Sequence, residues 1–501
     1  MPPTLQLDAL DQRIGFTNAL LPNNEIKQVK ERFQARMRDV LRIDKLIRNG
    51  HGTAQHLEHR SQLVEILTRY QVVLAPHKRL PVEILQQIFR YVCQGYNDSF
   101  PRYQDPPLLL CRVCSSWRFV IINMPEIWKS LHFFTGHPYS RSQKLDIVRL
   151  WFSRAGSLDL SLTLTDEVED TERHGVDFLK GVIAPFSKQF IYLHLVLPTY
   201  QIQGFFSLPP GSLDALEALH VVNLKVTMPS IPQWTSSLTL PSLRRLRLHL
   251  NPLLDPKVFV MPWHQLEIFQ CDSNLQLEDC HHLLLNCQKL TMFHVRIYGI
   301  KYTTPFPYEI HLPHLINLSV YLCDKESYDL FFLPLILPSL RSLTLYHFDG
   351  LSWSSGMYTN LLDRSKCSLE ELYLGTVDAR PDQVIRILEL TPLLRSITFS
   401  HKTDIPPEVY ARIGRAEFGQ HLEQLFLKGT RRLEPILNML EMRQVLSWED
   451  NESRSAISKL TFIETFCSQD EIKTHSHRIQ SLQNNGVIIS LLNSPEGYFL
   501  L

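Results

Sequence analysis

A six-residue pattern, apolar at its first, fourth and sixth positions, returns eleven times between Phe190 and Phe462 and limits the fold more than any other feature of the chain. The copies read FIYLHL (190–195), LEALHV (216–221), LRRLRL (243–248), LEIFQC (266–271), LTMFHV (290–295) and LINLSV (315–320). They continue as LRSLTL (340–345), LEELYL (369–374), LRSITF (394–399), LEQLFL (422–427) and ISKLTF (457–462). Apolar fourth and sixth positions with variable residues between them have the period of two of a strand that buries one face. The fourth residues are Leu193, Leu219, Leu246, Phe269, Phe293, Leu318, Leu343, Leu372, Ile397, Leu425 and Leu460. Most steps between them are 23 to 29 residues, and the last is 35. A period of that length suits one strand and one helix per repeat. Helices are expected over 277–287, 381–390 and 433–446, where apolar residues recur at helical spacing. The ending HRIQSLQNNGVIISLL suits a last helix, a turn at Asn485-Gly486 and a closing strand. The expected fold class is α/β.

Period and pattern together resemble the leucine-rich repeat, which implies a strand–helix solenoid over 134–501 with its strands along one wall. Side chains alternate across a strand, so positions 3, 5 and 7 of each repeat face solvent. Those positions hold Arg245, Arg247 and His249, then Met292, His294 and Arg296, then Tyr321, Tyr346, Tyr373 and Phe426. Arg and Tyr anchor many interfaces, and guanidinium groups take carboxylate or phosphate bidentately. The expectation is a target protein with an acidic or phosphorylated segment on the arginines and an apolar stretch over the tyrosines. An ordinary solvated strand face is the plain alternative. The Asn that closes such repeats stands at Asn251, with Cys323 as a substitute, and most repeats lack it. The stretches 165–172 and 449–454 read as exposed loops.

Ahead of the repeats, Ile26, Val29, Phe33, Val40, Ile43 and Ile47 recur at helical steps, and Gly50–Gly52 interrupts them. A second amphipathic run passes through Leu63, Ile66, Tyr70 and Val73. An antiparallel hairpin over 1–75 hides both stripes; a dimerising coiled coil is the competing reading. A distinct block follows over 76–133. Leu80-Pro81-Val82-Glu83-Ile84-Leu85 is a helix start with Pro near N1 and an acid in the first turn. Ile84, Leu85, Ile88, Phe89 and Val92 form a wide apolar face, and a polar loop runs over 95–107. A second helix is expected from Leu108 through Cys114 and Trp117 to Val120, with Pro125 ending it and a strand near Leu131-His132-Phe133. So small a block is marginal alone, so part of its apolar face is expected to cover a neighbour or a partner.

LPVEILQQIFRYV, LLLCRVCSSWRFVI and MPEIW resemble the F-box element by element, and with the preceding helices and HKRLP they resemble the F-box-like proteins of mushroom-forming fungi. The resemblance implies a three-helix F-box that docks a Skp-type adaptor, and through it a cullin–RING ligase. By motif position, Leu80, Pro81, Ile84, Leu85, Ile88, Val113, Cys114 and Trp117 lie at or near that contact; Trp117 suits a core position equally. The loop 95–107 is longer than in many F-boxes.

Composition removes other classes. Basic and acidic residues balance at 51 each, which favours neither nucleic acid nor a membrane surface. No basic cluster with an apolar core opens the chain, and no run of about 18 apolar residues follows. Nine scattered cysteines are expected as free thiols in a cytoplasmic or nuclear protein. Cys111-Arg-Val-Cys114 has redox or metal spacing without a second ligand pair, and the pairs His281-His282, His311/His314 and His475/His477 lack companions. No phosphate loop, dinucleotide, zinc-protease or nucleophile-elbow pattern occurs, so no cofactor, metal or catalytic residue is expected. The reading is a non-enzymatic substrate-recognition subunit of a ubiquitin ligase. Its rivals are a repeat scaffold with a vestigial F-box and a thiol protein using Cys111 and Cys114.

Overall fold

The structure is a computed structural model that describes residues 14, 21–94, 103–134, 141–166, 174–223, 236–250, 255–256, 259–299, 306–322, 325–347, 353–430, 432–449 and 460–493. Asn251, Cys323, most of the 95–107 loop, and the greater part of 165–172 and 449–454 lie outside the described residues. Two compact units form: Met1–Phe134 with Ser142–Ser161, and Thr135–Arg141 with Leu162–Leu501.

Among the described residues of the first unit, two helices come first, Asn23–Arg48 and Ala54–Leu74. Gly50, at φ +77°, ends the first of them. The amides of Gly50 and His51 return to the carbonyls of Ile47 and Leu46 at 3.1 and 2.9 Å, the paired closure that a left-handed glycine permits. Thr53 and His56 then cap the second helix reciprocally, each side chain accepting from the other's backbone amide. The helices run antiparallel. Val29 meets Ile66 and Tyr70, while Val40 and Ile43 meet Leu63 and Leu67, so both apolar stripes are buried within one chain. Arg60 reaches Asp44 at 2.6 Å across the pair.

A 3-10 turn at Pro76–Arg79 leads to helix Val82–Gln94, which buries Leu85, Phe89 and Cys93. The helix expected over 108–120 is in fact two, Leu110–Val113 and Ser115–Ile122. Cys114 breaks it with an extended backbone, and its Sγ accepts the Trp117 amide at 3.4 Å as the cap of the second piece. Pro125 starts a further short helix, Pro125–Trp128, before strand Ser130–Phe134. The Trp128 indole donates to the Ile121 carbonyl at 2.9 Å, and Arg154 covers its ring.

In the second unit the repeats lie side by side in chain order as a long parallel sheet that does not close on itself. Strands alternate with helices such as Leu277–Asn286, Pro381–Leu390 and Leu433–Glu449, close to the three expected spans. The architecture is mixed α/β and consistent with a strand–helix solenoid. Positions 1, 4 and 6 form its interior: Leu290, Phe293 and Val295, like Leu340, Leu343 and Leu345, are at most 1% exposed.

Two backbone devices recur along the repeats. Before the strand, Leu-Pro-x-Leu turns close with Leu315 donating to Leu312, and Leu340 to Leu337, at 3.4 and 3.2 Å; proline supplies the φ that the second turn residue needs. At position 2 of the repeats from Glu217 to Glu423, one carbonyl then accepts two amides of the next. Glu267 receives Thr291 and Met292 at 2.8 and 3.2 Å, and Arg341 receives Glu370 and Glu371 at 2.8 and 2.9 Å.

Ten of the eleven expected strand motifs fall in this register; the exception is ISKLTF. Leu425 pairs with Ile463 and not with Leu460, and the strand is Phe462–Cys467, three residues later than expected. Leu460 is thus the first position of its repeat, with Ile463 at the fourth and a buried Thr465 where the other repeats have an apolar sixth residue. Strand Leu160–Thr165 was not anticipated by the pattern. The closing helix, the turn at Gly486 (φ +84°) and strand Ile488–Asn493 follow the expected order. Among the described residues no helix is long and apolar enough to cross a membrane.

Phe293 is fully buried with its ring 5.8 Å from Phe269 of the preceding strand. Replacing it with alanine is expected to cost about 3–5 kcal/mol, whereas Arg245→Ala on the solvent side stays within about 0.5 kcal/mol. Urea unfolding followed by circular dichroism measures both, and equal effects would contradict the assignment of inner and outer positions.

Candidate protein-interaction surfaces

The first candidate surface lies on helix Val82–Gln94. Its residues at 85, 89 and 93 recur every fourth position and turn inward, so Leu85 belongs to the core at 4% exposure. On the adjoining face Ile84 and Ile88 are 40% and 38% exposed, and Tyr91, seven residues after Ile84, continues their line. Leu80 is half-buried and Pro81 exposed; the Pro81 carbonyl accepts the Leu85 amide at 3.0 Å. Val113 is also exposed. Cys114 is buried, with its sulfur occupied by the helix cap. Trp117 is half-buried, edge-on to Phe89 with centroids 5.0 Å apart. Of the eight residues expected at an adaptor contact, Leu85 and Cys114 therefore face inward, and Trp117 divides between core and surface. Tyr91 and Phe119, 81% and 71% exposed, were missed. Helical spacing from Ile84 was the signal for Tyr91.

Burial pushes the Cys111 thiol above its ordinary range, against the pull of Arg154 and Arg118. A thiol held protonated is a poor nucleophile. Among the described residues, no group of three or more His, Cys, Asp or Glu side chains is placed to hold a metal ion.

The second candidate surface is the solvent face of the sheet. Strand register aligns His194, His220, Arg247, Gln270, His294 and Ser319 across six consecutive repeats. His194 and His220 stack with ring centroids 4.0 Å apart and planes nearly parallel. Asp272 stands where the register shifts between Cys271 and Asn274; such an irregularity re-aims a side chain. Its carboxylate accepts from Arg247 at 3.0 Å and from His294 Nε2 at 3.2 Å. His294 Nδ1 is 2.9 Å from the Ser319 hydroxyl, so in the neutral ring that hydroxyl is the donor. The bonds from His294 and Arg247 hold the Asp272 carboxyl well below the usual carboxylate range despite burial.

The aromatic part follows. Arg296 lies 4.5 Å over the Tyr321 ring, Tyr321 stacks with Tyr346 at 5.8 Å, and Tyr346 meets Tyr373 at 5.1 Å. Lys428 donates to the Tyr373 hydroxyl. Phe426 packs against Phe462 instead, with centroids 5.0 Å apart. Arg245 and His249 are exposed. The structure thus brings His294 together with Arg247 through Asp272, and Arg296 with the three tyrosines, while Phe426 stands apart from that stack. Asp272 was missed, although position 7 of LEIFQC points to it.

Along the strand starts a ladder of charges alternates. Arg244–Glu267, Arg341–Glu370 and Arg395–Glu423 pair at 2.6, 2.8 and 3.3 Å. It lapses at Thr291 and Ile316, where an open groove of about 710 Å³ lies between Glu267 and Arg341.

Burial, then His194 and Arg247, with a smaller push from His249, lower the His220 imidazole from 6.5 to about 4, against a weaker opposing pull from Asp272. A histidine depressed in the folded state is neutral there while the unfolded chain takes up a proton. Stability is therefore expected to fall as pH drops from about 6.5 to about 4. His220→Gln is expected to flatten that part of the curve of unfolding midpoint against pH; identical curves for both proteins would contradict the assignment.

No protein-family model matches the chain and no curated protein matches it, so both surfaces are read from their own chemistry.

Proposed function

We propose that this chain is the substrate-recognition subunit of a Skp–cullin–F-box type ubiquitin ligase. On this reading the helices over 80–122 dock the adaptor and the repeat sheet binds the target protein. The observation that carries it is the exposed line Ile84, Ile88 and Tyr91 beside a helix face already buried through Leu85, Phe89 and Cys93. The helix has filled its own core and still holds large apolar side chains in water. That arrangement favours a partner over simple packing. The residues with F-box motif positions and the residues left exposed coincide at Pro81, Ile84, Ile88 and Val113.

The proposed role is positional. A ligase's transferring partner carries activated ubiquitin, and a receptor that holds the target raises the local concentration of its lysines. The solvent face of the sheet, rich in Arg, His and Tyr, supports the receptor half of the reading. No bond-making residue of this chain is needed.

Ile84→Asp/Ile88→Asp puts two charges on the proposed contact without entering the core. A Skp-type adaptor is expected to co-purify with the wild-type chain and to lose at least about tenfold in affinity for the variant, measured by titration calorimetry with circular dichroism confirming the fold. A folded wild type that does not bind the adaptor would replace this reading with a non-ligase repeat scaffold.

A further inference from the structure

Guanidinium groups on this sheet are mostly spoken for. Arg244, Arg341 and Arg395 each hold a glutamate of the following repeat, and Arg247 holds Asp272. The Arg247 charge, which the sequence offers as an anion anchor, is already neutralised. Arg296 differs: among the described residues it has no carboxylate partner, and its guanidinium rests on the Tyr321 ring at 4.5 Å. A guanidinium stacked on an aromatic face is pre-oriented, so it loses little freedom when an anion arrives.

The surface beyond it is continuous. Arg296, Tyr321 and Tyr346 pair directly in the strand register. The line continues to Tyr373 because the next repeat offers Gly375 at the corresponding place. A Cβ there would stand 2.6 Å from Tyr346 Cδ1 and 2.9 Å from Tyr373 Cε1, so only glycine leaves room for the two rings. Lys428 meets the far end of the strip at the Tyr373 hydroxyl. Three strand spacings separate the strands of Arg296 and Tyr373, about 14 Å, the span of roughly four extended residues.

We propose that the strip from Arg296 to Tyr373 binds an extended segment of a protein, with an anionic side chain of that segment set against Arg296 and its neutral and apolar side chains along the tyrosines. This rests on the reading of the second unit as a target receptor and names what the receptor takes. The positive charge at one end and the ring edges and hydroxyls after it complement an anion followed by uncharged residues. Carboxylate and phosphoryl groups share that chemistry.

The test uses the full chain and three fluorescein-labelled octapeptide libraries. Each has one fixed position (Glu, Gln or phosphoserine) and seven positions randomised over neutral residues. Fluorescence anisotropy is expected to show the Glu library binding roughly tenfold tighter than the Gln library. Arg296→Gln should erase that difference and Arg386→Gln, on helix Pro381–Leu390, should keep it. Tighter binding of the phosphoserine library, also lost in Arg296→Gln, would support the strip and identify the anion as phosphate. Equal binding of the Glu and Gln libraries with no phosphoserine gain, or a difference that survives in Arg296→Gln, would overturn the proposal. Adaptor titration on the same preparation separates the two readings. Peptide selectivity without adaptor binding removes the ligase and leaves the strip; adaptor binding without peptide selectivity removes the strip alone.

Discussion

Each repeat of the second unit depends on one backbone acceptor at its second position. The carbonyls of Glu267, Thr291, Ile316 and Arg341 in turn each accept two amides of the following repeat. A carbonyl has two lone pairs, so this use satisfies it fully and fixes both the spacing and the register of the next strand. Once register is fixed, parity follows. Positions 4 and 6 enter the interior and positions 5 and 7 lie on the opposite face, covered at Thr398 and Ser400 of one repeat; a slip of one residue would exchange the two sets. Both the leucine interior and the Arg, His and Tyr face are consequences of that acceptor.

This explains what could be read in advance. Leucine spacing located most strands because a buried side chain and its register carry the same information. It failed at 457–462, where Ile457 and Leu460 imitate the pattern, and only the pairing of Leu425 with Ile463 decides the register. It also missed Leu160–Thr165. The Leu-Pro-x-Leu turns are a second sequence marker of strand starts. In the first unit, helical spacing forecast the two long helices but not the break at Cys114, because capping by a thiol has little sequence signal.

Candidate sites were less legible than the fold. Alternation says which side chains face out; it does not say which are already paired. Arg247 and Arg296 look alike in the sequence, yet a register shift delivers Asp272 to one and Tyr321 underlies the other. Likewise Leu85 and Ile84 are neighbours within one motif, and a turn of about 100° per residue sends the first inward and leaves the second in water. Motif position and contact surface are separate properties. They agree at Pro81, Ile84, Ile88 and Val113.

Hydrogen–deuterium exchange on the full chain, with and without a purified Skp-type adaptor, distinguishes a docking helix pair from a vestigial one. The account predicts protection confined to residues 80–94 and 108–122, with exchange across the strands from Ala218–Asn223 to Gln424–Thr430 unchanged and free for a target. No protection in those helices, or protection on the solvent face of the sheet in their place, would contradict it.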